Sequence, residues 1–464
     1  MSAPHQEWHA RGGRLTLDQL REEAGHGRVT TVELALTDIQ GRQQGKRHHV
    51  RHFLDHVVPD GSDMCAYVLA TDADMLPPTD FELVSWDSGI GDFQVRPDLT
   101  TIRTVPWDHG TVLVHADAFL DGRPVEVSPR RVLSRALDRL AARGLHVRTG
   151  IETEFTLYRG SHLHLEETNH QRLRPVSARN RDFALDLDPA TSRYLRLLQD
   201  ALEQAGLPIE AAKSEAAPGQ VEITFPYGDP MAACDGHTLF KRVARHTGHR
   251  TRLAPTFMAT PQNGSASGLH LHLSLWRDGA PAFTDTAGGL SPLGEHAVAG
   301  LLTALPDLTP LWAPNANSYR RYAPETGAPT SFTWGHDNRT CAVRVVGREN
   351  PHLEIRLPGA DANPYLALTA ALAAIEYGIE NALKPPPPCA GNAYADHTAP
   401  PVHQTLGAAL GAFRDSPLTG ALLTPGVATH YAKVAQLELD ALPGGSAPDT
   451  EVTAAEHERW FSRA

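Results

Sequence analysis

The sequence has few cysteines and no long apolar run, and both absences narrow its possible functions. Its four cysteines (Cys65, Cys234, Cys341 and Cys389) lie far apart and form no C-x-x-C pair. This spacing argues against a cysteine metal site and fits a reducing, cytoplasmic location. No uninterrupted apolar stretch reaches about 18 residues, so no membrane span is expected. Residues 1–14 are polar and rich in His and Arg, without the apolar core of a secretory signal.

Positive charge is also scarce. The chain has 42 Lys and Arg against 54 Asp and Glu, which gives a net charge of −12 when its 25 His are neutral. Without a basic surplus to neutralise phosphates, nucleic acid is not an expected partner. The charge is compatible with a cationic substrate, but its simpler interpretation is that it keeps the protein soluble. A chain of 464 residues exceeds one ordinary hydrophobic core, so two domains are expected.

The first part of the chain has the pattern of a mixed α+β module. Residues 15–24 predict a short helix, and residues 29–38 alternate as a half-buried strand does. Residues 38–46 predict a turn into a second strand, and residues 111–119 predict a further strand. We therefore expect the first part of the chain, up to about residue 120, to form one small module.

Three helices are predicted beyond this module. Ser128 is a good N-cap, Pro129 suits the first helical position, and Gly144 ends the apolar stripe that follows. Residues 363–383 form a long helix rich in Ala and Leu, and residues 452–463 form a terminal helix. Strands and helices mix in the region between.

Four short segments place polar side chains on one face of a predicted strand, where residues two apart point to the same side. The sets that share a face are Glu152 with Glu154, Glu222 with Thr224, His270 with His272 and Ser274, and Glu354 with Arg356. Glu215 precedes the Pro-Gly turn that leads to Glu222. Each carboxylate set, taken alone, also fits a solvated surface strand, and the histidines also fit a hydrogen-bonded pair in a core.

Taken together, the segments indicate a metal site. Five carboxylates and at least one imidazole give an oxygen-rich ligand set, which suits Mg²⁺ or Mn²⁺ better than zinc. A set of arginines that could clamp carboxylate or phosphate lies in the same part of the chain: Arg320, Arg321, Arg339, Arg344 and Arg356. Metals and arginines that face one channel favour phosphoryl transfer.

The order of the motifs carries a resemblance to a known family. The motifs are Glu152-x-Glu154-Phe155, Glu215-x-x-Pro-Gly-Gln-x-Glu222, Ser267-Gly-Leu-His270-x-His272-x-Ser274-Leu275, Asn317-Ser-Tyr-Arg-Arg321, Asn338-Arg339 with Arg344, Glu354-Ile-Arg356, and Asn363-Pro-Tyr365. This ordered set resembles the bacterial type I glutamine synthetase family over nearly the whole chain, from about residue 30 to residue 460.

The resemblance implies an architecture. It implies an α+β fold, with an N-terminal β-grasp domain over residues 1–120 and a catalytic domain over residues 121–464. The catalytic domain would be built on a curved antiparallel sheet flanked by helices. The resemblance also implies a homo-oligomer, a dodecamer of two stacked hexameric rings, in which each active site is a funnel between neighbouring subunits.

The resemblance also implies roles for individual residues. One metal would be held by Glu154, Glu215 and Glu222, and the metal at the ATP phosphates by Glu152, His270 and Glu354. ATP would be bound by Glu210, Tyr227, His272, Ser274, Arg339 and Arg344. Glutamate would be bound by Asn263, Gly264, Arg321, Arg339 and Arg356. The implied cofactors are ATP and two or three Mg²⁺ or Mn²⁺. ATP would phosphorylate the γ-carboxylate of L-glutamate with help from Arg339, and an amine would then attack the γ-glutamyl phosphate.

The sequence departs from the family where the amine would bind. Members that use ammonia carry a lid Glu where this chain has Gly327, although Glu325 lies two positions away and could substitute. Asp60 could keep the role of the base that deprotonates the amine, but the family's Ser three residues later is Asp63 here. An apparent insertion also puts Asn263 and Gly264 two residues further from the following His than usual.

Three functions remain open at this stage. Loss of the lid Glu opens the pocket, as a ligase for an amine larger than ammonia would need. The sequence most resembles the actinobacterial glutamine synthetase-like branch that makes γ-glutamyl amides of polyamines or ethanolamine. The alternatives are glutamine synthetase itself, which uses ammonia, and a non-catalytic relative kept as a structural or regulatory oligomer.

Overall fold

The computed structural model describes residues 12–76, 80–285, 289–347, 349–442 and 451–464, so the polar start at residues 1–11 lies outside the described residues. The strands are β1 (Thr31–Thr37), β2 (Gln43–His49), β3 (Ser62–Cys65), β4 (Asp92–Pro97), β5 (Arg103–Thr104), β6 (Thr111–Leu120), β7 (Arg123–Pro124), β8 (His146–Arg159), β9 (Ala211–Ser214), β10 (Gln220–Thr224), β11 (Leu253–Thr256), β12 (Leu269–Arg277), β13 (Ala280–Pro281), β14 (Trp334–His336), β15 (Val343–Val346) and β16 (His352–Ile355).

The α-helices are α1 (Leu17–Gly25), α2 (Val50–His52), α3 (Val58–Asp60), α4 (Pro129–Ala142), α5 (His162–Glu167), α6 (Pro189–Gln204), α7 (Pro230–Thr251), α8 (Pro292–Ala304), α9 (Pro364–Glu380), α10 (Leu406–Asp415), α11 (Pro417–Leu423), α12 (Pro425–Ala441) and α13 (Ala454–Trp460). A π-helical turn, Phe53–Val57, joins α2 to α3. Among the described residues, none of these helices combines the length and the apolar character needed to cross a bilayer.

The first sheet contains seven strands from the N-terminal part of the chain. Its main order is β2-β1-β6-β4-β3, with β5 and β7 also paired to β6. The neighbours β1 and β6 run parallel and the other pairs are antiparallel, so the sheet is mixed. This agrees with the predicted α+β class, whereas the finer assignment to a β-grasp fold remains a prediction.

Strand β1 corrects one detail of the sequence analysis. It was expected to be half-buried, but both of its faces are covered. On the second face Ala35 packs with Val105 and Leu113, and Glu33 accepts hydrogen bonds of 2.6 and 2.9 Å from Arg242. A buried carboxylate is tolerated here because a guanidinium pairs with both of its oxygens.

The second sheet carries all four polar segments. Its order is β14-β15-β16-β12-β8-β10-β9, with β11 paired to β8 and β13 to β12. All pairs are antiparallel except β14 with β15, which run parallel, so the predicted antiparallel sheet has one exception. The leucines of β12, at positions 269, 271, 273 and 275, face the helices, where α8 and α9 pack against each other. Its polar side chains face the opposite side.

The hydrophobic core does not divide at residue 120. One cluster of buried residues extends from Leu15 in the first module to Ala435 in α12, and it includes Leu34 and Leu372. A second cluster, around Phe155 and its ring contacts, lies beneath the far end of the second sheet. The division into two domains at residue 120 therefore remains a prediction.

Candidate active site

The register of the second sheet brings the predicted polar segments side by side. Strand β8 lies between β12 and β10, so Glu152 is paired with His270 and Glu154 is paired with Glu222. On the next strand, Glu354 of β16 is paired with His272 of β12. Residues that are far apart in sequence thus form one continuous polar surface on a single face of the sheet.

The first carboxylate group consists of Glu152, His270 and Glu354. Their ligand atoms lie within 4.8 Å of one another. His270 Nδ1 is 2.7 Å from Glu152 Oε1 and 3.7 Å from Glu354 Oε1. These are the three residues predicted together for the metal at the ATP phosphates. The other ring nitrogen, His270 Nε2, is buried without a hydrogen-bond partner among the described residues and lies 3.9 Å from Glu154 Oε1.

The second carboxylate group consists of Glu152, Glu154 and Glu222, again within 4.8 Å of one another. It differs from the predicted set in one member, because Glu152 belongs to both groups and Glu215 instead contacts Lys213. Burial and the neighbouring Glu152 carboxylate raise the pKa of Glu222. Carboxylates crowded in this way gain stability from a cation between them, so both groups fit divalent metals.

Arginines hold Glu354 in its charged form. Arg344 Nη1 donates to Glu354 Oε2 at 2.9 Å, and Arg356 Nη1 donates to Glu354 Oε1. Burial by itself raises the pKa of Glu354, but the Arg356 guanidinium and the neighbouring His270 outweigh it and lower the pKa to about 2. Arg344 also contacts Asp337 at the edge of the site.

A cavity of about 320 Å³, the charged cavity, contains all six predicted metal ligands. It is lined by Glu152, Glu154, Asp182, Phe183, Lys213, Glu215, Ala216, Gln220, Glu222, Ala266, His270, Arg321, Glu325, Thr326, Gly327, Arg339, Arg344, Glu354 and Arg356. The arginines predicted for glutamate and for the phosphates are therefore in the same cavity as the carboxylates. The residue that replaces the family's lid Glu, Gly327, lies in its wall.

Close backbone packing shapes the floor of the charged cavity. The fully buried Arg321 donates to the carbonyl oxygens of Arg356 and Leu357 at 3.0–3.1 Å. A Cβ atom at Gly268 would lie 2.7 Å from both Arg321 Nη2 and His270 Nε2, so only glycine fits between them. The Gly268 N–H in turn donates to Glu154 Oε2 at 2.7 Å and orients that carboxylate.

A second cavity of about 530 Å³, the aromatic cavity, adjoins the first through Glu152. It is lined by Gly150, Glu152, Glu210, Thr224, Phe225, Tyr227, His272, Ser274, Trp276, Pro281, Val346, Asn350, Pro351 and His352. The lining includes four residues predicted for ATP: Glu210, Tyr227, His272 and Ser274. Trp276 Nε1 lies 2.8 Å from both the Tyr227 hydroxyl and Ser274 Oγ, which fixes the indole ring at the wall.

Some predicted residues lie outside both cavities. Asn263 accepts a hydrogen bond from Val452 N at 3.0 Å, and neither Asn263 nor Gly264 lines either of these two cavities. Asp60 lies at the end of α3 and lines neither cavity of its own chain. Arg320 is also absent from the linings, and it donates to Glu456 of α13 at 2.8 and 3.0 Å.

The structure adds residues that the sequence analysis missed. His352 lies two residues before Glu354 on β16, so the same-side rule for strands could have found it. Lys213 of β9 reaches the site through its pairing with Glu222. His352 Nε2 is 3.1 Å from His272 Nδ1, and burial together with that neighbour lowers the pKa of His352 to about 4. Asp182 and Phe183 come from a loop, where no periodic signal points to the site.

Comparison with known proteins identifies the family to which this fold and this site belong. The chain belongs to the glutamine synthetase family, because the profile described as "Glutamine synthetase, catalytic domain" matches residues 126–458. It is therefore a ligase, and the non-catalytic alternative is not retained. Enzymes of this family use ATP and divalent metals and bind glutamate and amines.

The relatives include enzymes that act on organic amines. A γ-glutamylethanolamide synthetase of Streptomyces coelicolor is 41% identical over 453 residues, covering 97% of this chain and 96% of that protein. A glutamate–isopropylamine ligase of a Pseudomonas species is 32% identical over 420 residues, covering 89% of this chain and 92% of that protein. Among solved structures, the complex of GmaS with ADP is similar with a TM-score of 0.79 at 26% identity, covering 91% of this chain and 95% of that one.

Proposed function

We propose that this protein joins an organic primary amine to the γ-carboxylate of L-glutamate, with ATP as the energy source. The observation that carries this proposal is the pair of adjoining cavities. One is lined by aromatic rings and the other by carboxylates and arginines, and they meet at Glu152. This arrangement suits a nucleotide whose ring lies in one cavity and whose phosphates reach glutamate in the other.

The acceptor is proposed to be larger than ammonia, on two grounds. Gly327 contributes no side chain, and no described heavy atom lies within 4 Å of the position its Cβ would take. The wall is therefore open at the point where members of the family that use ammonia carry the lid Glu. The relative with 41% identity is a γ-glutamylethanolamide synthetase, so ethanolamine heads the candidate amines, followed by polyamines such as putrescine.

The proposed nucleotide site is the aromatic cavity. Tyr227 and Trp276 offer flat rings for the adenine, and Glu210, His272 and Ser274 offer polar contacts. Arg339 and Arg344 line the charged cavity, where they would neutralise the phosphates. Arg321 and Arg356 would hold the carboxylates of glutamate through their guanidinium groups.

Two divalent cations, Mg²⁺ or Mn²⁺, are proposed at the two carboxylate groups. Glu152, His270 and Glu354 would hold one of them. Glu154, Glu215 and Glu222 would hold the other, with Glu152 as a neighbour. When bound, these ions supply positive charge that offsets the charge developing on the phosphoryl oxygens.

The reaction proposed has two steps. A γ-carboxylate oxygen of glutamate attacks the γ-phosphorus of ATP. The bond between this phosphorus and the oxygen that bridges it to the β-phosphate breaks, and ADP leaves. The amine nitrogen then attacks the γ-carbonyl carbon, loses a proton, and phosphate leaves. In the first step Arg339 stabilises the charge on the transferring phosphoryl group. In the second step Asp60 accepts the proton from the amine, with Glu325 as the other candidate from the cavity wall.

The proposed role of Asp60 requires a second subunit. Because Asp60 lines neither cavity of its own chain, it would have to reach a neighbour's charged cavity. A ring-forming homo-oligomer, proposed here as a dodecamer of two hexameric rings, would bring it there. Light scattering on the purified protein tests this part, and an active monomer would contradict it.

Glutamine synthetase activity is the second candidate. It is favoured by Glu325, whose position in the charged cavity two residues from Gly327 allows it to replace the lid carboxylate. In this case the anionic site for ammonium is displaced along the loop rather than lost.

One assay separates the two candidates. Phosphate release from ATP in the presence of L-glutamate is measured at matched pH with ammonium, ethanolamine, putrescine, methylamine and isopropylamine. The products are identified by mass spectrometry. We expect a γ-glutamyl amide of one organic amine to form with the highest kcat/KM. A wide advantage for ammonium would instead identify a glutamine synthetase with a rearranged amine pocket.

A further inference from the structure

Lys213 lies among the proposed metal ligands. It is paired with Glu222 across β9 and β10, so Lys213, Glu222 and Glu154 form one row over three neighbouring strands. Its ammonium contacts Glu215 and lies 3.9 Å from Glu222 Oε2. Arg344 and Arg356 also contact a proposed ligand, but they lie on the opposite side of the site, against Glu354.

We propose that Lys213 is a built-in counter-cation of the second carboxylate group. In the metal-free protein its ammonium holds Glu215 and Glu222. When a divalent cation binds these carboxylates, the ammonium moves toward Asp182 and Phe183. This inference rests on the proposed divalent site. It goes further by giving this chain a lysine that competes with the ion for the same carboxylate oxygens.

Competition follows from charge. An ammonium and a divalent cation that share the oxygens of Glu215 and Glu222 would lie within one contact distance of each other. Like charges this close in a partly buried site repel strongly. The divalent cation has twice the charge and several ligands, so it keeps the carboxylates and the lysine side chain moves. Because the lysine loses its own ion pairs when the metal binds, the net free energy of metal binding is less favourable.

A second position for the ammonium is already present. Asp182 Oδ1 lies 3.5 Å from Lys213 Nζ, and the centroid of the Phe183 ring lies 4.3 Å from it. A carboxylate and an aromatic face are both favourable partners for an ammonium. The four-carbon stem of lysine is flexible, so the charge can shift between the two sides without movement of β9.

The second position belongs to a loop at the mouth of the charged cavity. Phe183 N donates to Ser214 O at 3.3 Å and Ser214 Oγ donates to Arg181 O at 2.5 Å, so the loop is tied to β9 beside Lys213. The Phe183 ring is largely exposed, with 70% of the residue accessible. The proposal therefore predicts that divalent binding strengthens the contact between Lys213 and this loop.

The test is Mn²⁺ binding to the full-length protein stripped of metal, with unbound Mn²⁺ counted by its EPR signal. Lys213→Met should raise the affinity of one of the two bound ions on the order of tenfold, the size expected for loss of a charged contact. The same variant should melt at a lower temperature than the unmodified protein in excess chelator, because Glu215 and Glu222 lose their counter-charge. Lys213→Gln is the second variant, in case the first does not fold.

Lys433 provides a matched control. Its ammonium also contacts a carboxylate and a ring, Asp80 at 3.2 Å and Phe81 at 5.5 Å, but it lines neither of the two site cavities. Lys433→Met should leave Mn²⁺ affinity unchanged. Mn²⁺ affinity that is equal or lower in both Lys213 variants would overturn the proposal while leaving the proposed function intact. Absence of Mn²⁺ binding in the unmodified protein would instead overturn the divalent sites themselves.

Discussion

The two adjoining cavities differ in what lines them. The charged cavity contains seven carboxylates and five lysine or arginine side chains, whereas the described lining of the aromatic cavity has two carboxylates and no lysine or arginine. A flat, weakly charged wall recognises a ligand ring by fitting its shape and by stacking on its faces. A wall of paired charges does little for a ring but can stabilise a transferring phosphoryl group. We therefore propose that the aromatic cavity recognises the nucleotide and that the charged cavity carries out the chemistry. Glu152 belongs to both.

Glu152→Gln should have the largest effect, because Glu152 belongs to both carboxylate groups and both cavities. We expect kcat/KM to fall by at least about 10³-fold, since one neutral amide weakens both proposed ion sites. Steady-state phosphate release measures this. The control is Glu376→Gln, at a buried carboxylate that pairs with Arg139 and Arg143 away from the site. Equal activity in the two variants would break the proposed link between the cavities.

Arg339→Ala should affect the charged cavity alone. Arg339 is exposed at the cavity wall, so its loss should leave the fold intact. Removal of a charge that acts mainly in the transition state should lower kcat on the order of 10²–10³-fold with little change in the KM for ATP. Arg196→Ala, at an exposed ion pair with Asp200, is the control. Near-normal kcat in Arg339→Ala would refute its proposed role.

Tyr227→Ala should affect the aromatic cavity alone. Loss of one ring face should raise the KM for ATP about tenfold and change kcat little, because aromatic contacts of this kind contribute about 0.5–1.5 kcal/mol. Tyr227→Phe keeps the ring and loses only the hydroxyl that contacts Ser274 and Trp276, so its effect should be smaller. A drop in kcat with an unchanged KM would place Tyr227 in the chemistry instead.

Gly327→Glu should have the smallest effect, a change in preference rather than in rate. The ratio of kcat/KM for ammonium to that for ethanolamine should rise about tenfold as the carboxylate returns to the wall. Gly327 has φ of +81°, so any side chain there also strains the backbone by roughly 1 kcal/mol. Gly327→Ala carries the same strain without the charge. If both variants shift the ratio equally, the carboxylate is not the cause.

Strand-borne parts of the site were predictable and loop-borne parts were not. Glu152, Glu154 and Glu354 follow the two-residue period, and antiparallel register alone brings them into contact with His270. The period could not tell that Glu215, just beyond β9, would contact Lys213. A side chain beyond the end of a strand is directed by local backbone angles that have no sequence period.

Loop residues were missed for the same reason. Phe183 reaches the cavity with φ of +56°, a conformation that its residue type does not suggest. Asp182 precedes it in the same loop and was missed as well. The fold was predicted to the level of class and element, because α1, β6, α4 and α9 have clear periodic patterns. The burial of both faces of β1 was not predicted, since it depends on a distant partner, Arg242.

The buried Glu456 carboxylate lies in the final helix, α13, and its contacts matter for the design of truncated or fused variants. Glu456 accepts hydrogen bonds from Asn317 and Arg320, which lie in the same helical turn as Arg321, Ala316–Arg321. A chain cut before Thr453 would lose the Glu456 carboxylate that contacts the buried Arg320 guanidinium, next to the proposed glutamate residue Arg321. A truncated or carboxyl-terminally fused protein can therefore keep its secondary structure and still lose affinity for glutamate. Binding of glutamate, rather than circular dichroism, is the quality check that such preparations require.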